Sequence, residues 1–465
     1  MHSSSSQKIS VFALVLLITG AIDSIRNLPT TALFGSTLIF FCILSAVFFL
    51  IPVALVAAEL SAAWSEEEGG IYSWVQRAFG DTAAFLTIWL QWVNTMVWYP
   101  TMLLFLASTL AYLINPALAE NKIYLLSVYL TLFWGLTLLS LSGLRSSARF
   151  ASFCTISGMI LPMSMIIGFA MVWVFQGKPL AITFTWNDLI PQWHDTQSWV
   201  SLMAIMTSFL GMELAAVHVR HIHHPQRNYP RAMFFSVLLI LSTVVLGSLA
   251  IAIVLPRGDI SLVSGVMQLL TRFFKMYHLM FLMPFMVILI LIGCLGSMVN
   301  WVISPAKGLM LAAKQGFLPE GLYRFNRHGA PVWVLLMQAV LVSATTMGFL
   351  LFPSVNAIYW LFTALSTELY ILMYVMMFLA AIKLKWGHAH VPRPFTIPGG
   401  KFGYYLTCIC GLLGCIITLI IGFFPPAESI DMGGSAHFRF VFASGIGLML
   451  SPALVLYFIR RHRMT

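Results

Sequence analysis

The chain has 465 residues, 60% of them hydrophobic and only 9% charged, with a mean hydropathy of +0.91. An average soluble domain is about 25% charged, so this composition excludes a soluble fold and implies a chain that crosses a membrane many times. The formal charge of +10 does not point to nucleic acid, because the basic residues are scattered through short loops, as inward retention of positive charge requires.

The polar start, Met1 to Gln7, is followed by Lys8 and an apolar run to Ile22 that imitates a signal peptide. No small-x-small site follows, and eleven more apolar segments do, so this segment is expected to be retained. Twelve segments reach the roughly 20 residues needed to span a bilayer. They are 9–34, 36–62, 82–114, 123–141, 148–175, 200–222, 229–255, 280–313, 331–352, 357–384, 403–424 and 438–459, numbered here as spans 1 to 12. The apolar run 262–274 is too short to cross and is expected to lie along the outer surface as an amphipathic helix. With both termini in the cytoplasm, eighteen basic residues fall in inner loops and six in outer loops; Arg26, inside span 1, completes the 25. That bias supports a bacterial inner-membrane location with both termini inside.

Span 1 contains Thr19-Gly20-Ala21-Ile22-Asp23-Ser24-Ile25-Arg26-Asn27-Leu28-Pro29. On a continuous helix Asp23 and Arg26 would share a face, but Gly20 and Pro29 bracket them and both loosen a helix. Charge and freed backbone are tolerated at membrane depth only inside protein or against a watery cavity. The stretch is therefore expected to be an unwound break at a solute site; the other reading is a structural Asp23–Arg26 ion pair. Span 6 carries Thr207-Ser208-Phe209-Leu210-Gly211-Met212-Glu213, where Gly211 allows a second break. The plainer reading is a glycine packing notch with Glu213 bonded to nearby backbone. Interruptions in corresponding spans of two five-helix halves indicate an inverted repeat with the solute site between the halves.

The predicted architecture is an all-α membrane protein of twelve transmembrane helices, a 5+5 inverted repeat with helices 1 and 6 broken, plus two C-terminal helices. The whole chain, 1–465, is one transporter domain, with repeat one at about 9–175, repeat two at about 200–384 and helices 11 and 12 at about 403–459. Of the 15 acidic residues only Asp23, Glu59, Glu213 and Glu368 fall within spans, and Glu59 is near enough to the inner end to reach water. Asn94, Asn300-Trp301 and Ser366-Thr367-Glu368-Leu369-Tyr370 are polar at membrane depth and either bond neighbouring helices or line the same cavity.

His218, His221, His223 and His224 follow Glu213 at the inner end of span 6. They are surface histidines or a cytoplasmic pH sensor; a metal site would need fixed ligands and an accompanying acid or thiol. The six cysteines all fall in apolar runs, without zinc spacing or a secreted disulfide framework. No cofactor or metal is expected. No nucleophile elbow, Walker loop, HExxH or convincing triad is present in the sequence, so an enzyme is not expected.

Further motifs are Glu67-Glu68-Gly69-Gly70 with Trp74, Asn228-Tyr229-Pro230 with Ala232-Met233, Ser304-Pro305-Ala306-Lys307-Gly308, and Arg393-Pro394-Phe395-Thr396-Ile397-Pro398-Gly399-Gly400-Lys401. With Phe209–Glu213, these make nearly the whole chain resemble the amino acid–polyamine–organocation transporters. Within them it is most similar to the bacterial glutamate/γ-aminobutyrate antiporter group. The resemblance implies amino-acid exchange by alternating access, with substrate held at the breaks of helices 1 and 6. It also implies that Glu213 is the helix-6 acid associated with substrate or proton coupling.

The chain departs from that pattern at three places. Ile22-Asp23-Ser24 stands where many relatives have Gly-Ser-Gly, Arg26 where the antiporter has an aromatic, and Ser297 where it has a helix-8 acid. These changes bear on the charge preference of the pocket. The acid-resistance antiporter also carries a pore-closing tail after helix 12; the present sequence stops at Thr465, so that gate is expected to be missing.

The expected substrate residues are Thr19, Gly20, Asp23, Ser24, Arg26, Asn94, Ser208, Gly211, Glu213, Trp301 and Glu368. Ser24 and the break backbones at Gly20 and Gly211 would hold the solute's carboxylate and amine. Arg26 would pair with Asp23 or receive a side-chain carboxylate. Glu213, Glu368, His218 and His221 are the candidates for proton coupling or pH sensing. The expected partners are a small amino acid and the lipid bilayer. A proton-coupled symporter and a non-transporting amino-acid receptor are the alternatives.

Overall fold

The computed structural model describes residues 9–65, 70–142, 148–191, 196–348, 354–388, 390–425 and 434–464. Every regular element among them is helical; the only β-type contacts are two isolated bridges, Ile9 with Ile222 and Phe325 with Pro331. Ten helices are long and apolar enough to cross a membrane: Val11–Ala32, Gly35–Ala63, Asp81–Ile114, Lys122–Leu141, Ser152–Phe175, Pro225–Val254, Met280–Met298, Val355–Gly387, Gly400–Ile421 and Ser435–His462. The expected spans 6 and 9 occur as shorter apolar helices, Leu202–Ala216 and Val332–Met347. The range 202–216 is bounded by residues whose side chains lie outside the described ones, and the expected end of span 9, 349–352, also lies outside the described residues.

Span 1 breaks where Asp23 and Ser24 fall. Val11–Ile22 is α-helical, its last bond running from the Asp23 amide to the Thr19 carbonyl at 2.8 Å. Asp23 and Ser24 then take extended conformations, with ψ of 130° and 120°. The chain re-enters a helix through a 3-10 turn, Ile25–Asn27, into Leu28–Ala32. Pro29 suits that first turn, because it lacks only an N–H that would have no partner there. Span 6 breaks at the same level of the sequence pattern. Thr196–Thr207 is α-helical, Gly211 has φ +112°, and Met212–His221 continues as a 3-10 helix. Only glycine adopts that φ without strain. The start of the first broken span and the end of the second are joined by the Ile9–Ile222 bridge.

Two other spans carry a single π-turn, Ala46–Leu50 in span 2 and Ile156–Ile160 in span 5, each running into a helix that begins with a proline at its second position, Pro52 and Pro162. A proline removes one i to i−4 bond, and a wider turn absorbs the lost register. The span 5 turn is also where spans 5 and 8 touch backbone to backbone. A methyl built on Gly158 would lie 2.1 Å from the Gly293 Cα, so neither position admits a side chain.

The expected short amphipathic helix is Gly265–Met276. It buries Val266, Met267, Leu269, Leu270, Phe273 and Phe274, and its first residue packs on Pro29 of the broken span. Toward the end of span 2, Glu59 does not reach water as expected. It is fully buried and accepts from Lys385 Nζ at 2.6 Å, Arg393 Nη1 at 2.8 Å and the Ile397 amide at 2.8 Å. Two cations and a backbone N–H compensate the desolvation. The Arg393–Lys401 motif is thereby tied to spans 2 and 10, with Arg393 also donating to the Leu384 carbonyl at 3.1 Å.

Candidate functional site

A narrow cavity, with about 50 Å³ open to water, lies against the break of span 1. Residues 20–27 form one wall. The others are Asn94, Trp98 and Met102 of span 3, Cys154, Thr155, Gly158 and Met159 of span 5, Thr207 and Leu210 of span 6, Gly293, Cys294, Ser297 and Trp301 of span 8, and Ser366 and Tyr370 of span 10.

The unwound backbone is held by span 8. Ending a helix frees its last carbonyls. Here Ser297 Oγ donates to the Gly20 carbonyl at 3.2 Å and Trp301 Nε1 to the Ala21 carbonyl at 3.3 Å. Trp301 also stacks on Trp98 with ring centroids 4.9 Å apart, and its ring edge lies 3.8 Å from where a methyl on Gly211 would sit. One indole thus touches both breaks. Tyr99 Oη fixes the helix beneath it by donating to the Trp301 carbonyl at 2.7 Å.

The two charged residues of the break do not pair. Asp23 accepts from Thr243 Oγ1 on span 7, and its other oxygen has no hydrogen-bond partner. Arg26 donates from Nη1 to Thr101, its guanidinium lies 5.6 Å above the Trp98 ring, and its Nε has no partner. The structural Asp23–Arg26 ion pair, the alternative reading of this stretch, is therefore absent. The extended residues between them remove the helical three-residue spacing that would have put both on one face.

Glu213 lies behind the cavity wall rather than in it. Its Oε1 accepts from Tyr370 Oη at 2.7 Å and Gln91 Nε2 at 3.2 Å, and its Oε2 accepts from Tyr374 Oη. The same Tyr374 hydroxyl accepts from the Gly211 amide at 2.7 Å. Glu213 therefore holds the span 6 break through Tyr374 and reaches the cavity only through Tyr370, which is on the lining.

Of the residues expected at the site, Gly20, Asp23, Ser24, Arg26, Asn94 and Trp301 line this cavity together. Thr19, Ser208, Gly211 and Glu213 are one layer behind, and Glu368 faces span 11 at Gly422. The side chains of His218, His221 and Asn300, and residues 67–69 of the second-span motif, lie outside the described residues. Among the described residues no group of three His, Cys, Asp or Glu side chains is placed to hold a metal.

Several lining residues escaped the sequence reading. Trp98 was hidden among the aromatics of an apolar helix, though it stands one turn after Asn94. Thr207, Ser366 and Tyr370 lie in stretches already singled out as polar, and Ser297 was marked only as a departure. Ser366 donates to Asn94 Oδ1, and Thr207 and Thr367 share a hydrogen bond of 2.6 Å. These bonds close the ring of spans 3, 6 and 10.

The model of the family described as amino acid permease matches residues 9–449. An uncharacterized transporter of Legionella pneumophila is 43% identical over 426 residues, which cover 91% of each chain. A glutamate/γ-aminobutyrate antiporter of Lactococcus lactis is 29% identical over 91% of this chain and 85% of its own. An arginine/ornithine antiporter of Latilactobacillus sakei is 25% identical over 93% and 92%. With its apolar helices, its paired breaks and the match along nearly its whole length, the chain belongs to the amino acid permease family and is a multi-pass membrane transporter rather than an enzyme.

Proposed function

We propose that this transporter exchanges amino acids by alternating access across a bacterial cytoplasmic membrane, with both termini inside. The solute is held between the breaks of spans 1 and 6, which correspond to one another in two repeats of about 9–175 and 200–384. The observation that carries this reading is the pair Asp23 and Arg26. Both line one cavity at membrane depth, and neither neutralises the other. A buried charge without a counter-charge is costly, and a zwitterionic solute supplies one of each sign.

The break backbone and Ser24 bind the α-carboxylate and α-amine, beside the exposed ends of the half-helices. Arg26, already braced by Thr101 and Trp98, receives a side-chain carboxylate. Acidic amino acids are therefore the preferred class, and exchange resembling that of the glutamate/γ-aminobutyrate antiporters follows. Asp23 is the corresponding partner for an amine.

Counterflow in proteoliposomes tests this. Vesicles loaded with one unlabelled amino acid should accumulate labelled glutamate, and empty vesicles should not. Uptake into empty vesicles that follows an imposed proton gradient would replace exchange by symport. Binding without any counterflow across a panel of acidic, neutral and basic amino acids would replace transport by sensing.

A further inference from the structure

Glu368 stands apart from the cavity. It lies in the middle of span 10, is 1% exposed, and its Oε1 has no hydrogen-bond partner. Its carboxyl packs against span 11, where a methyl group built on Gly422 would lie 1.8 Å from Oε1. Glycine at 422 leaves the room that the carboxyl occupies.

The surroundings offer little to an ionised carboxylate. On its own helix, Ser366, Thr367, Tyr370 and Tyr374 bond to Asn94, Thr207 and Glu213 of spans 3 and 6. On span 11 the nearest titratable side chain by sequence is Cys415, two turns before Gly422, and the charged residue is Lys401 at the opposite end. Of the other elements on span 11, the π-turn 46–50 and the helix Thr196–Thr207 contain no titratable residue. The helix Ile51–Ala63 has only Glu59, which is bound to Lys385, Arg393 and the Ile397 amide. The helices packed on span 10 add Tyr72 and Arg77 of Ile71–Phe79 and Asp81, Tyr99 and Tyr112 of Asp81–Ile114. On span 12, Arg439 donates to the Phe423 carbonyl at 3.3 Å and lies over Phe424. Arg439 is thus engaged at the two residues that follow Gly422.

We propose that Glu368 is a proton-binding site separate from the substrate cavity, loaded as the neutral acid while spans 10 and 11 pack as seen here. A buried carboxyl without donors is far cheaper to hold neutral than charged. When it gives its proton to water, the carboxylate must find water or a cation, so span 10 has to leave Gly422. That same helix carries Ser366 and Tyr370 of the cavity wall, and its movement displaces them. The proton site follows from the Glu368–Gly422 contact alone, whereas its effect on exchange rests on the transport reading.

Infrared spectra of the purified protein in lipid, without solute, test the site independently of transport. The expected result is a protonated-carboxyl stretch at neutral pH that fades on alkalinisation, is lost in Glu368→Gln, and is shifted in Gly422→Ala, whose methyl displaces the carboxyl. In counterflow, Glu368→Gln should keep exchange and lose the part of the pH dependence that the native protein shows. Identical carboxyl spectra in native protein and Glu368→Gln would overturn the site. A lost band with an unchanged pH profile of exchange would overturn its coupling to transport.

Discussion

Asp23 and Arg26, three residues apart in the chain, make no ion pair: Asp23 accepts from Thr243 on span 7, while Arg26 donates to Thr101 and lies 5.6 Å above Trp98. The break holds an acid and a base in one cavity without an ion pair between them, as the proposed solute site requires. Replacing Arg26 by Gln should lower the apparent affinity for glutamate by about tenfold to a hundredfold, the loss of one charged hydrogen bond. Affinity for γ-aminobutyrate or a neutral amino acid should change much less. Arg26→Lys should restore only part of the loss, because a lysine lacks the planar group that lies over Trp98. Competition binding on the three proteins checks this.

Tyr374 connects Glu213 to the span 6 break, donating to the carboxyl and accepting from the Gly211 amide at 2.7 Å. Tyr374→Phe leaves that amide and one carboxyl oxygen without their partner. The expected destabilisation is about 1–3 kcal/mol, with slower exchange. Tyr370→Phe removes only its single bond to Glu213 Oε1 and should lower the unfolding midpoint less. Thermal unfolding in detergent distinguishes the two.

Glu59 anchors the Arg393–Lys401 motif to span 2. Removing it leaves Lys385 and Arg393 beside each other without the carboxylate between them. Glu59→Ala should cost about 3–5 kcal/mol, as expected for a buried pair broken on one side. It should also expose the segment around Arg393 to protease. Glu59→Gln, which keeps a carbonyl acceptor for the Ile397 amide, should be milder in both assays.

In the loop between spans 5 and 6, Asp188 caps the turn Trp186–Leu189 by accepting from Thr183 Oγ1 at 2.6 Å, Thr185 Oγ1 at 2.7 Å and the Thr185 amide at 3.2 Å. These bonds, led by the Thr183 hydroxyl, hold its carboxyl below the usual aspartate range. The charged form is the one stabilised. The cap is therefore complete above the unfolded-state value of about 3.9 and is lost as pH falls through the lower folded-state value. Hydrogen exchange at the Leu189 amide should stay protected at neutral and mildly acid pH and open only in stronger acid. In Asp188→Asn protection should already be reduced at neutral pH.

The breaks were legible in the sequence because glycine, proline and charge in an apolar run have few physical explanations. Gly20, Asp23, Ser24 and Pro29 announced one break, and Gly211 with Glu213 the other; both occur there. The partners of those residues were not legible. Whether Asp23 meets Arg26 or Thr243 depends on where the extended residues turn the chain, and Thr243 is 220 residues away. Glu59 was misjudged for the same reason, since its cations come from residues 385 and 393. Glu368 looked equivalent to Glu213 as an acid at membrane depth, yet one meets a hydroxyl pair and the other meets Gly422. That distinction lies in which face of span 10 looks inward, and an apolar helix buried all round gives no periodicity from which to read it.

The most direct test is a structure of the protein in lipid with its counterflow substrate bound. The solute should lie between Asp23–Ser24 and Trp301, its backbone groups against the unwound residues and its side-chain carboxylate within hydrogen-bond reach of Arg26. Solute density outside residues 20–27, with Arg26 and Asp23 paired to each other, would contradict a substrate site built on the two breaks.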